Sequence, residues 1–226
     1  MTSTSVEESL DRAEAATSAG AGLSGTGFWS AVATVKRNPE LVDRHADRIA
    51  AIDEAAFRQW VLLTVPLGLG TALAVTALVV GIFLIGLAYA LDGFPAVLVF
   101  FAGFVAVIGS THGLAHLVVG WAVGIRFTCW FIARVTQPQP GVKVDYASYL
   151  RTAPQKRAWM HASGAIVTKA IPFMLIGAAL AANLPTWAVW LLLVIGIVVL
   201  LADLVWSTKK SDWKKFQREM SFAQGS

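Results

Sequence analysis

The stretch GSTHGLAHLVVG, residues 109–120, places two histidines four positions apart inside a long apolar run. Titratable side chains are expensive in such surroundings. Between Val61 and Ile125 the only Asp, Glu, Lys, Arg or His side chains are Asp92, His112 and His116. Across all 226 residues only 14% are charged, and 56% are hydrophobic. Soluble domains carry roughly a quarter of charged residues. The pattern predicts an all-α, polytopic integral membrane protein.

Working outward from the histidines gives about four spans over residues 60–207. The first covers about Trp60 to Leu91 and is long enough to tilt. Asp92-Gly93 turns the chain, and the second span runs from Phe94 to Ile125. The third covers Trp159 to Ala182. Asn183-Leu184-Pro185 makes the next turn, and the fourth runs from Thr186 to Trp206. Trp60, Trp121, Trp130, Trp159, Trp187 and Trp206 lie near these ends, as an interfacial belt would. Gly164, Gly177 and Gly196 are expected to permit close helix packing.

Basic residues gather at 36–58, 126–157 and 209–218, whereas the short turns carry none. The positive-inside rule puts both termini and the 126–158 loop in the cytoplasm of a multi-pass cell-membrane protein. These basic segments lack the aromatic interleaving of a nucleic-acid binder, so the lipid bilayer is the expected partner. The lone Cys129 excludes an intrachain disulfide.

Residues 1–27 are polar and small, without the basic start and apolar core of a signal peptide, and are expected to be disordered. Asn38-Pro39-Glu40 reads as a capped helix start. The resulting amphipathic helix, within 28–59, is expected on the membrane surface. In the loop, Pro138-Gln139-Pro140-Gly141 marks a turn, and Val142, Val144 and Tyr146 alternate with polar residues. A short membrane-dipping hairpin is one reading and an ordinary amphipathic loop the other. Residues 208–226 read as a basic cytoplasmic tail.

His112 and His116 share one helix face and can put two imidazole nitrogens on one metal ion, with zinc the expected ion. A third ligand must come from elsewhere. Asp203, the only acid inside a span, and His161, near the start of the third, lie at similar depth. Asp203 pairing with Lys209, Lys210 or Lys169, or plain inter-helix hydrogen bonding by the histidines, would leave no metal site. Haem b held by His112 or His116 together with His161 is a further alternative, which would make an electron-transfer subunit. With four histidines in the chain, one of them His45 outside the spans, a di-iron site is poorly supported.

The segment THGLAHLVVGWAVGIRF, residues 111–127, resembles the zinc-motif helix of the site-2 protease family. RTAPQKRAWMHASGAIVTKAIPF, residues 151–173, resembles that family's next helix. The order of elements is also similar over roughly residues 94–207. The resemblance implies zinc on His112 and His116 with Asp203 third, and transmembrane helices of other proteins as partners. It also exposes a departure: the family's general-base glutamate, in HExxH, is Gly113 here. Asp145 in the loop is the one candidate for a replacement base. The expected function is therefore a catalytically impaired pseudoprotease acting as a membrane binding or regulatory module. An active intramembrane zinc metallopeptidase with a non-standard base is the alternative. Neither substrate nor oligomeric state can be read from the residues.

Overall fold

The computed structural model describes residues 3–133, 140–205 and 211–223, the side chains of 3 and 203–205 excepted. The described chain is predominantly helical, with one small antiparallel sheet that an all-α reading does not contain. It divides into two compact units. One comprises residues 1–66, 120–157 and 218–226, the other 67–119 and 158–217.

The second unit is built from apolar helices. Helix α4 spans Leu67–Leu87 and continues as a 3-10 turn to Ala90, α5 spans Gly93–Ala122, α7 Pro154–Ala181 and α8 Thr186–Val205. Three segments, Leu67–Ala90, Gly93–Ala122 and Pro154–Ala181, are long and apolar enough to cross a membrane; α8 is apolar over Thr186–Ala202. Phe100, Ala179, Ala188 and Leu192 are fully buried at the centre of their shared core. Phe83, Phe94, Val105, Met174 and Trp190 point outward and stay exposed, as side chains facing lipid tails would.

Helices α4 and α5 cross at van der Waals closeness. A Cβ on Gly81 would stand 2.9 Å from the Gly103 carbonyl oxygen, and one on Gly103 would stand 2.6 Å from that of Gly81. Small residues facing each other are what let two apolar helices approach this far. Gly196 lies against the Phe173 ring, in keeping with its expected packing role. Gly177 does not fill that role: among the described residues nothing lies within 4 Å of a Cβ placed there. Asn183, at φ 52°, takes the left-handed conformation just beyond α7, which asparagine tolerates better than most residues.

The first span begins at Leu67, not Trp60. Trp60 closes the preceding helix, and Leu63–Pro66 form strand β1. Proline offers no amide to a helix start and suits an edge strand. In the first unit β1 pairs with β2, Phe127–Ile132, which pairs with β3, Gly141–Val144. Val65 faces Trp130, and Trp130 faces Val142. The expected loop hairpin thus forms, with a third strand from before the first span. Pro138 and Gln139 of its turn lie outside the described residues. Trp130 is 5% exposed within this sheet, so it does not belong to the interfacial belt, whereas Trp60, Trp121, Trp159 and Trp187 are exposed. Trp206 lies outside the described residues.

Residues 3–18, expected to be disordered, form helix α1. Val6, Leu10 and Ala13, one stripe at i, i+4 and i+7, are fully buried with Phe28 and Ala31 of α2, Phe28–Val35, and Ile49 of α3, Pro39–Trp60. The polar composition concealed this short stripe. The cap on α3 is as expected: the Asn38 side chain accepts from the Glu40 amide, with Pro39 next. The apolar face of α3, however, is covered by protein, with His45, Ala46, Ile49, Ile52 and Phe57 all buried. Arg48 of α3 donates to Glu7, Asp11 and Glu14 of α1.

The expected basic tail is also part of the core. Helix α9 spans Asp212–Ala223, and in its last turns Glu219 is 0% exposed. It pairs with Lys36 at 2.5 Å and with Arg157 at 2.8 Å. Tyr149, on the short helix α6 (Tyr146–Arg151), lies under the Lys36 ammonium, 4.9 Å from ring centre to nitrogen. Two cations share one carboxylate. Arginine holds its proton, so lysine is the cation whose protonation the surroundings can shift. Burial pulls Lys36 down to about 8, with Arg157 adding to the fall and Glu219 opposing it.

Candidate metal centre

Helix α5 sets the histidine pair. At i and i+4 the two imidazoles project from one face, their ring centres 4.7 Å apart and nearly perpendicular. Their Nε2 atoms stand 3.3 Å from each other. Both meet one carboxylate oxygen, Asp212 Oδ2, at 3.2 Å from His112 and 3.1 Å from His116. Two ligand atoms at zinc's usual bond lengths, roughly 2.0–2.1 Å, in a tetrahedron stand about 3.3 Å apart. All three edges match. Among the described residues this is the one cluster of three or more His, Cys, Asp or Glu with metal-binding spacing.

The far nitrogens fix the tautomers. The Met160 carbonyl can only accept, so His116 Nδ1 carries the proton and donates to it at 2.7 Å. Thr168 Oγ1 donates to the Gly164 carbonyl, which leaves it accepting from His112 Nδ1 at 2.9 Å. Each neutral ring then presents a bare Nε2 lone pair. Two such lone pairs and a carboxylate oxygen converge with nothing to separate them. Only a cation between them, a metal ion or a proton, makes that approach favourable. Outer hydrogen bonds of this kind also orient histidines in metal sites generally.

Helix α7 is shaped around the ring. A Cβ on Gly164 would stand 2.4 Å from His116 Nε2. This glycine makes room for an imidazole, which differs from the helix-packing role expected of it. His161, one turn earlier on α7, has its ring centre 6.4 Å from that of His116.

Asp212 is placed by the opening turn of α9. Phe216 packs its ring edge-on against Trp159 of α7 and stacks with Trp213. The Lys215 ammonium donates to Asp212 Oδ1 at 2.9 Å, leaving Oδ2 for the histidines. Burial alone would raise this carboxyl; N–H donation from His112 and His116, a proton then standing where a metal ion would, together with Lys215, holds it well below the usual carboxylate range.

Asp212 was not anticipated from sequence, where it read as part of a basic cytoplasmic tail. A signal was present: an acid opening a helix whose aromatics, Trp213 and Phe216, need burial. Asp203, the expected third ligand, lies on α8 with its side chain outside the described residues, as are Lys209 and Lys210. Lys169 has its ammonium 3.5 Å from the Ala165 carbonyl. Asp145 caps α6, accepting from the Ala147 amide, and pairs with Arg126 at 3.1 Å. Gly113 is buried on α5.

An apolar groove of about 520 Å³ runs beside the histidines between α5 and α7, lined by Thr111, Ala115, Val118, Trp159, Ser163 and Ile166 among others.

No family model, no curated protein and no solved structure matches this chain.

Proposed function

We propose that the chain is a multi-pass protein of the cell membrane that holds zinc on His112, His116 and Asp212 in a site-2-protease-like core, and that it serves as a binding or regulatory module for membrane helices rather than as an efficient peptidase. The observation that carries the reading is the convergence of two imidazole Nε2 atoms and one carboxylate oxygen at 3.1 to 3.3 Å. Asp212 takes the place for which Asp203 was the sequence candidate. Zinc on these three residues alone would supply a Lewis acid and, at a fourth position left open, a water acidified towards a pKa of about 7. Gly113 has no side chain to take that water's proton. General-base help is worth roughly 10²–10⁴-fold, so hydrolysis without it is feeble.

Haem b is less well supported. With Gly164 against His116 Nε2, a macrocycle on that nitrogen would need α7 to withdraw. An active metallopeptidase with another proton acceptor is favoured by one feature, the tetrahedral position that two histidines and an aspartate leave open.

The test is metal content of purified protein. One zinc per chain is expected, lost in His112→Ala, His116→Ala and Asp212→Ala and kept in Asp203→Asn. Full retention of zinc in His112→Ala, or a wild type that takes up no zinc at saturation, overturns the reading.

A further inference from the structure

We propose that His161 is a fourth protein ligand, so that the centre is closed rather than open to a substrate. The inference rests on the zinc reading above and adds the coordination number. On α7, residues 161, 164 and 168 fall at i, i+3 and i+7, one stripe of the helix. Gly164 in this stripe lies against His116 Nε2, and Thr168 accepts from His112. The stripe therefore faces the site over its length, and His161 is its remaining member. It is half-buried.

Two imidazoles on one tetrahedral zinc have ring centres about 5 Å apart, given bonds of roughly 2.0–2.1 Å. His112 and His116 meet this at 4.7 Å. His161 stands at 6.4 Å from His116, a little over 1 Å too far. Ligation would require the His161 ring to turn towards the pair by that distance and to exchange its present contacts for the metal. Three imidazoles and one carboxylate then complete the tetrahedron. Closed four-ligand sites are structural, whereas catalytic zinc keeps a position for water. Closure by His161 and the absence of a carboxylate at Gly113 point the same way. The metal ties α5, α7 and the start of α9 together and activates no water.

X-ray absorption of the zinc-loaded wild-type protein counts imidazoles directly; three are expected. Cobalt(II) in place of zinc should give the intense visible bands of a four-coordinate ion, unchanged by added acetohydroxamate or azide. In His161→Ala the same cobalt protein should become sensitive to both anions. Losing a group one shell further out costs roughly 10–100-fold in metal affinity, so His161→Ala should lose at least that much. His161→Cys, which restores a ligand, should recover it. Two imidazoles with an exchangeable water in the wild type, and a cobalt spectrum that His161→Ala leaves alone, overturn the closed site while sparing the zinc reading. A wild type without stoichiometric metal overturns both. Because the wild-type count needs no variant, a His161→Ala protein that fails to fold does not shield the proposal.

Discussion

Gly164 and His116 are in a contact that admits no side chain: a Cβ on Gly164 would fall 2.4 Å from the Nε2 that faces the candidate metal position. Gly164→Ala should therefore swing the His116 ring away. Zinc affinity should fall by at least the roughly 10–100-fold that loss of an outer partner costs. Alanine is the better helix former by about 0.8–1.0 kcal/mol, so helix content by circular dichroism should hold or rise. Unchanged affinity would mean that His116 is not a ligand in this rotamer.

Thr168→Val keeps shape and removes the acceptor on which His112 Nδ1 rests. With the tautomer no longer fixed, zinc affinity should drop roughly 10–100-fold. Thr168→Ser should restore most of it. Competition against a chelator of known affinity measures both.

Catalysis is the third expectation. The native protein, reconstituted in lipid with labelled membrane-helix substrates, should show no appreciable chelator-sensitive cleavage. Robust cleavage abolished by His112→Ala would establish that a carboxylate at position 113 is dispensable.

Acid should weaken the first unit through Glu219. Burial alone would raise its carboxyl, but Lys36 and Arg157 hold it below the ordinary value. A folded pKa below the unfolded one means the unfolded chain takes up the proton first as pH falls. The stabilisation is then complete above about pH 4.3 and is lost as pH drops through the folded pKa. Glu219→Gln should flatten that limb. It should also cost about 3–5 kcal/mol at neutral pH, because two buried cations lose their anion. Lys36→Met, which leaves Arg157 with Glu219, should cost far less. Denaturation curves in mild detergent at several pH values separate the two.

The proposed arrangement, α8 as a fourth span with both ends inside the cell, predicts that tags at either terminus are cytoplasmic. With Cys129 replaced by Ser, Gly93→Cys should react with a membrane-impermeant thiol reagent from outside. Ends on opposite sides of the membrane would remove α8 as a span.

The histidine pair was legible because i and i+4 spacing survives in any straight helix, and the apolar run around it made two imidazoles conspicuous. The carboxylate was not. Counting depth along spans favours acids within spans, and Asp212 reaches the pair from a separate helix placed by Trp213 and Phe216. Composition likewise concealed α1, whose three buried residues, Val6, Leu10 and Ala13, are a minority in a polar helix. Strand β1 was hidden by its neighbours: Leu63 and Val65 continue into α4 without any change in polarity, and only Pro66 marks the break. Pairing with Phe127–Ile132 is a non-local event that no local pattern announces.

The buried position of Glu219 has a consequence for how the chain is made. The first unit draws on residues 1–66, 120–157 and 218–226. Lys36 emerges from the ribosome long before the carboxylate that neutralises it, and Arg157 also precedes it. Until Glu219 is made these two cations lack the anion that they share in the folded chain, so their burial should wait for α9. Protease resistance of residues 1–66 should accordingly appear only once Glu219 has been made and is free to fold back, and nascent chains halted at about residue 215 should still be cut there.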